Sequence, residues 1–421
     1  MAGEPSVKVQ VPMSRQSSAK RTVLFVDDEP RNLDALRSAL QGRELEWDMV
    51  FVSNAEAALS ELRARPFDVI VTDLAMPGVD GATLLAQVRE VSPSTVRILL
   101  ANETERDAAL RASPVCHQSL SKPCNSEALK AAIERTLGLK GLLENERVRA
   151  IVGKIDHLPV LPRVYSELNA AFASPDCSPS QIARIVEGDP AISAGLLKLV
   201  NSAFFALGQR MTSPERAIVY LGLDLVRSLA LTTKVFSTRL RKTVPGFSID
   251  ELQAQSFLTG LLARRIPKSP QARDDAATAG LLHDVGRLIF ASECPDQYAK
   301  VLRRVREGKG VAIEQAERDE LGASHAEVGA YLVGLWGLPS TIVEAIAYHH
   351  EPSRAPVIGE VIRAVHVGSV LVDREFRRQR GDRIAELPRV DRSVDVHDDV
   401  DAWGRTAAND VERWRGDSAA A

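Results

Sequence analysis

Val69-Ile70-Val71-Thr72-Asp73-Leu74-Ala75-Met76-Pro77-Gly78 decides the fold of the first third of the chain. Four apolar or β-branched residues lead into an acid and a Pro-Gly turn. That pattern predicts a strand buried on both faces with a carboxylate at its end. Outward from it lie similar runs at Thr22–Val26 (TVLFV), Met49–Val52 (MVFV) and Val96–Leu100 (VRILL), with a weaker one at Gln118–Leu120. Amphipathic stretches near 31–40, 55–64, 81–90, 104–111 and 125–137 separate or follow them. Strands alternating with helices at this spacing predict an α/β doubly wound unit on a five-stranded parallel sheet.

In such a sheet the carboxyl ends of the strands share one edge, where ligands bind. The first strand ends in Val26-Asp27-Asp28-Glu29-Pro30, the third in Thr72-Asp73, and the fifth is followed by Ser121-Lys122-Pro123. A lone Asp after a strand is commonly a helix cap. Acids at two strand ends and a lysine at a third form a pattern that capping does not explain. Asp27, Asp28 and Asp73 would repel one another without a hard cation, and Mg²⁺ suits an oxygen-only set that leaves room for a phosphoryl oxygen. Lys122 would bring a point charge to the same pocket.

Residues 22–137 resemble the receiver domain of bacterial two-component response regulators. The resemblance implies that Asp73 is the phosphoacceptor, that Asp27 and Asp28 are the acidic metal pair, and that the carbonyl of Ala75 is a further Mg²⁺ ligand. It also implies that Lys122 contacts the phosphoryl group and that a histidine kinase is the donor. Two positions depart from the family pattern. Ala101 stands where a Ser or Thr hydroxyl is usual after the fourth strand, leaving Asn102 or Thr104 as substitutes. Ser119 stands where an aromatic residue is usual.

The stretch KGLLENERVRAIVGKI (140–155) reads as a helix joining two domains, and from 162 to about 372 only helical periodicity is visible. This half carries Gly280-Leu281-Leu282-His283-Asp284-Val285-Gly286-Arg287, then Ser324-His325 and Tyr348-His349-His350-Glu351. An adjacent His-Asp pair with further histidines from other helices is how a metal hydrolase assembles its site. Residues 156 to about 372 resemble an HDOD domain, a degenerate relative of HD-type phosphohydrolases and cyclic di-GMP phosphodiesterases. The resemblance rests on LPVLPRVYSEL (158–168), IARIVEGDPAISAGLLKLVNSAFFA (182–206), AIVYLGLDLVRSL (217–229) and the HDVG segment. Catalytic relatives need more ligands. Gln255 in LQAQSFLTG takes the place of one histidine, and Gly368-Ser369 in AVHVGSV takes the place of an aspartate. His283, Asp284, His325, His349 and His350 remain, so the domain is expected to be a non-catalytic output without a metal.

The expected organisation is a tail at 1–20, a receiver at 21–138, a helical linker at 139–155, an all-α HDOD domain at 156–372 and a peripheral or loosely ordered charged extension at 373–421, in which Trp403 and Trp414 could anchor short helices. Across 421 residues, 53 basic and 56 acidic side chains leave a net charge of −3, which argues against a nucleic-acid partner. No apolar run approaches about 18 residues, so no membrane insertion is expected. The N-terminus lacks a signal-peptide core, and the four cysteines form no CxxC pair. Both features point to the cytoplasm. The expected function is a phosphorelay regulator whose output domain meets a partner protein or ligand, and homodimer formation is compatible with it. The alternatives are a metal-dependent HD-type phosphohydrolase or cyclic-dinucleotide phosphodiesterase, and a scaffold with a silent receiver.

Overall fold

A computed structural model gives the architecture. It describes residues 20–43, 46–102, 105, 115–122, 126–139, 177–187, 213–223, 242–308, 311–381, 388–394 and 399–420, with isolated positions between 152 and 226. The expected tail, the linker helix over 140–151, Thr104, Pro123 and most of 153–212 lie outside the described residues. The chain forms two compact units.

The first unit holds β1 (Arg21–Val26), α1 (Pro30–Ala39), β2 (Trp47–Val52), α2 (Ala55–Ala64), β3 (Val69–Asp73), α3 (Gly81–Val91), β4 (Val96–Asn102), β5 (Gln118–Lys122) and α4 (Ser126–Leu139). All strands are parallel, in the order β2-β1-β3-β4-β5. The order reverses between β1 and β3, which places the ends of these two strands side by side at the switch point. β3 is buried along its whole length, as a central strand covered on both faces must be. Asp80 Oδ1 accepts from Thr83 N at 2.7 Å and so starts α3. Gly81 sits where a Cβ would overlap the Asp73 carbonyl, so the β3–α3 turn can close this tightly only with glycine there.

The second unit is helical among its described residues. Its elements are α5 (Pro179–Glu187), α6 (Pro214–Leu221), α7 (Ile249–Arg265), α8 (Pro270–Leu282), α9 (Val285–Glu293), α10 (Pro295–Glu307), α11 (Ile313–Leu321), α12 (His325–Leu335), α13 (Ser340–Tyr348), α14 (Glu360–Arg380) and α15 (Val400–Ala420). α7 and α8 cross backbone to backbone, with Gly280 packed on Gly260. Both helices also pack on α14. Ser248 and Ser269 cap α7 and α8 through Glu251 N and Ala272 N.

The loosely ordered extension expected from 373 is largely helical where it is described, with turns and irregular chain at 388–394. α14 runs through 373 without a break, and α15 joins the core through Trp403, Ala407, Val411 and Trp414. Those four positions recur every three or four residues, a narrow apolar stripe within a charged composition. Among the described residues no helix is long and apolar enough to cross a membrane.

Candidate functional sites

The first site lies at the carboxyl edge of the sheet. The carboxylates of Asp27, Asp28 and Asp73 come within 4.8 Å of one another. Asp27 and Asp73 are buried and Asp28 is half-buried. Lys122 Nζ lies 2.6 Å from Asp73 Oδ1 and 3.1 Å from Asp27 Oδ2. Burial raises the pKa of Asp73, and the Lys122 ammonium works against that rise. Burial also disfavours the ammonium, but the Asp73 and Asp27 carboxylates outweigh it and its pKa is raised. Ala75 lies two residues past Asp73, in the exposed β3–α3 turn.

Asn32, on α1, donates from Nδ2 to both Asp27 oxygens, at 2.9 and 3.1 Å. Sequence reading missed it, because an Asn five residues past an acid carries no signature of its own. Asn102 pairs in register with Lys122, but it is exposed and its backbone N–H goes to Glu105 Oε2 at 2.8 Å. Ala101 is buried and carries no hydroxyl, and Ser119 is exposed and carries no aromatic ring.

The second site lies among the helices. His283 and Asp284 sit at the α8–α9 junction, His325 begins α12, and His349 and His350 follow α13. Asp284 Oδ1 lies 3.1 Å from His325 Nε2, 3.6 Å from His283 Nε2 and 3.7 Å from His349 Nε2. His350 Nε2 is 2.9 Å from His325 Nε2. The Nδ1 atoms point away from this centre: His283 to Gly280 O at 2.7 Å, His349 to Ile346 O at 2.8 Å, His325 to Glu317 Oε2 at 2.6 Å. A neutral imidazole whose Nδ1–H is spent outward, as at His283 and His349, presents an Nε2 lone pair inward. Asp284, His325, His349 and His350 can each offer one ligand atom within 4.8 Å of the others. His349 Nε2 is buried with no hydrogen-bond partner.

The electrostatics divide the imidazoles. Burial pushes the pKa of His283, His349 and His350 down, so all three are neutral. Burial also disfavours charge on His325, but Glu317 and Asp284 outweigh it and raise its pKa to about 10. Asp284 is held well below the usual carboxylate range: burial opposes this, and His283, Arg287 and His325 prevail. Arg287 Nη1 donates to Asp284 Oδ2 at 2.9 Å, and its Nε donates to Tyr298 Oη at 3.1 Å. Glu317 and Tyr298 were missed from sequence. Both lie in helices whose exposed faces are densely charged, which hides a single buried polar position.

The structure therefore brings all five sequence-singled residues of the helical half together. The incomplete motif argues against a metal here, yet the geometry gathers enough donors for one ion. Gln255 is buried on α7, and Gly368 and Ser369 lie within α14, so these positions supply no ionisable ligand.

Comparison with known proteins matches a response regulator receiver domain model to residues 23–134 and an HDOD domain model to residues 158–352. An uncharacterised protein of Treponema pallidum (strain Nichols) is 29% identical over 210 residues, 49% of this chain and 40% of that protein. A 14.6 kDa uncharacterised protein of Leptolyngbya boryana is 37% identical over 114 residues, 26% of this chain and 83% of that protein. A crystal structure of a protein assigned to signal transduction in Marinobacter aquaeolei VT8 aligns over 86% of each chain with a TM-score of 0.50 at 18% identity, a likeness of fold alone. The chain spans less than half the length of the first three curated relatives it matches.

Proposed function

The chain belongs to the response regulators that join a receiver domain to an HDOD domain, and we propose that Asp73 is its phosphoacceptor. On this reading a histidine kinase is the donor. The N–P bond of its phosphohistidine breaks as an O–P bond forms at the Asp73 carboxylate. The observation that carries the reading is the position of Lys122 Nζ, 2.6 Å from Asp73 Oδ1, beside three converging carboxylates. That oxygen-only donor set fits Mg²⁺, which Asp27, Asp28, Asp73 and the Ala75 carbonyl would hold. When bound, Mg²⁺ neutralises charge on the phosphoryl oxygens. Lys122 partly offsets the rise that burial imposes on the Asp73 pKa and can follow the charge as it passes to the phosphoryl group. Asn32 holds Asp27 in place from α1.

The HDOD domain is the output, acting through a partner protein or ligand. Ala101 and Ser119 remove the usual hydroxyl and aromatic groups, so phosphorylation is read out through other elements. The test is incubation of the chain with acetyl phosphate and Mg²⁺, followed by intact-mass measurement beside Asp73→Asn. The reading expects one phosphoryl group that the variant lacks. No gain by the wild type with Mg²⁺ bound overturns it in favour of a silent receiver.

A second reading, for the helical domain, is favoured by the four inward Nε2 atoms around Asp284. On it, Asp284, His325, His349 and His350 hold one first-row transition-metal cation, and the domain is a metal-dependent phosphohydrolase. A nitrogen-rich set suits Mn²⁺, Fe²⁺ or Zn²⁺ rather than Mg²⁺. Such an ion would supply a Lewis acid for a phosphoryl oxygen. Arg287 holds Asp284 by its second oxygen and leaves Oδ1 facing the imidazoles. Metal analysis after chelator-free purification is the test, and a metal-free chain that takes up no added Mn²⁺ excludes this reading.

A further inference from the structure

We infer that Glu317 is the positioning residue of the histidine cluster, holding His325 as a ligand for a divalent transition-metal cation while taking no coordination position itself. The inference rests on the second reading above, that the cluster binds such a cation.

Glu317 lies on α11 and is wholly buried, although its neighbours Glu314, Arg318 and Glu320 keep that helix polar. A carboxylate is rarely buried so deeply unless it is paired. Here one oxygen, Oε2, takes both hydrogen bonds: His325 N at 2.8 Å and His325 Nδ1 at 2.6 Å. The first bond satisfies a free N–H at the start of α12. The second does more. It keeps a proton on Nδ1, so that Nε2 is the nitrogen left for a metal, which would displace the proton held there, and it aims Nε2 at Asp284 Oδ1 and His350 Nε2.

His283 and His349 have only backbone carbonyls on Nδ1, from residues three positions earlier in their own helices. His350 Nδ1 has the Glu314 carboxylate only at 4.0 Å, whereas His325 has one from another helix within hydrogen-bond distance. A carboxylate on the distal nitrogen orients the ring and strengthens it as a donor. Charge counting points the same way. Arg287 neutralises Asp284, the one acid among the candidate ligands, so Glu317 supplies the negative charge that a dication requires. His350 Nε2 lies 2.9 Å from His325 Nε2, so the two nitrogens face one centre that a cation replacing the proton between them would occupy. His349 Nε2, buried without a hydrogen-bond partner, is the additional donor that such an ion would use.

The experiment titrates the full chain with Co²⁺, followed by visible absorption, with Mg²⁺ in excess to occupy the oxygen-only cluster of the receiver. Glu317→Gln is expected to weaken Co²⁺ binding about 10- to 100-fold and to shift the ligand-field bands. Glu327→Gln is the control. Glu327 caps Ser324 N at 2.9 Å beside the same helix start but touches none of the candidate ligands, so Co²⁺ affinity should not change. If both variants weaken binding equally, Glu317 is only a cap and the inference is overturned. It is also overturned if Glu317→Gln binds Co²⁺ as the wild type does, and the metal reading then stands. If the wild type takes up no Co²⁺, the metal reading itself has failed. Should Glu317→Gln not fold, ¹⁵N spectra of the wild type with Zn²⁺ decide without a variant. Metal on His325 Nε2 with a proton on Nδ1 is expected, and metal on Nδ1 overturns the inference.

Discussion

The backbone of Gly286 rests on the carbonyl of His325, so close that a Cβ at position 286 would overlap it. This contact sets the crossing of α9 and α12 and brings Asp284, two residues earlier, to 3.1 Å from His325 Nε2. Gly329, one turn further along α12, faces Val285 and Gly286 with little more room. Gly286→Ala should therefore push the helices apart, at a cost of about 1–3 kcal/mol from overpacking. Gly329→Ala should cost less, because its nearest neighbour is the Val285 side chain rather than backbone. Thermal unfolding of both variants checks the order. Equal melting temperatures for Gly286→Ala and wild type would mean that the crossing is not set by this contact.

Lys122 separates two buried carboxylates. Removing it leaves Asp27 and Asp73 facing each other without a cation, and a buried acid that loses its partner is strongly destabilising. Lys122→Ala should lower the melting temperature, and Mg²⁺ should restore more of it than it adds to the wild type. Phosphoryl uptake from acetyl phosphate should fall by about 10²-fold, the usual loss when a preorganised charge is taken from a reacting oxygen. Unchanged uptake would show that Lys122 serves only the resting state.

How much of this was readable in sequence follows from how local each signal is. The five strands are short apolar runs, and β3 shows the pattern most fully because both its faces are buried. Asp27, Asp28, Asp73 and Lys122 stand directly after strands, so a parallel sheet alone converges them. His283-Asp284 and His349-His350 are visible as dipeptides. Glu317 is not, because its value comes from α11 lying against the start of α12, eight residues later in the chain. The apolar stripe of α15 was legible only in part: Trp403 and Trp414 stand out as helix anchors, but Ala407 and Val411 complete one narrow face among charged residues, and composition averages it away.

His366 should make one segment sensitive to acid. Its Nδ1 meets His349 O at 2.6 Å, and its Nε2 accepts from Asp391 N at 2.8 Å. Only the neutral ring can do both. Burial lowers its pKa, although the His349 carbonyl and Asp391 oppose this. For a histidine with a lowered folded pKa, stability is present at high pH. Loss begins as pH falls through about 6.5, where the unfolded chain takes up a proton that the folded one refuses. It continues down to the lower folded value, where Nε2 gains a proton and Asp391 N loses its acceptor. Hydrogen-exchange protection of Asp391 should therefore drop between neutral pH and mildly acidic pH, after correction for intrinsic rates. In His366→Gln that pH dependence should vanish, and its persistence would point to a different titrating group.

The C-terminal helix should be needed for folding of the helical domain, although both the domain match and the motifs end before it. α15 packs on α7 and α14, with the Trp414 ring 5.6 Å from that of Phe257. Asp410 is buried and meets Arg265 Nη1 at 3.0 Å. Burial raises the Asp410 pKa, and Arg265 only partly offsets that. The pair is therefore asymmetric. Arg265→Ala strands a buried charge and should destabilise, whereas Asp410→Asn removes the charge and should be nearly neutral. Trp414→Ala should cost about 2–3 kcal/mol, below the value for a fully buried Trp because the ring is half-buried. A chain ending at residue 398 loses all of these contacts and uncovers the apolar faces of α7 and α14, so it should unfold at lower denaturant or be recovered as aggregate. A truncated chain with the wild-type unfolding midpoint would show that α15 covers the domain without stabilising it.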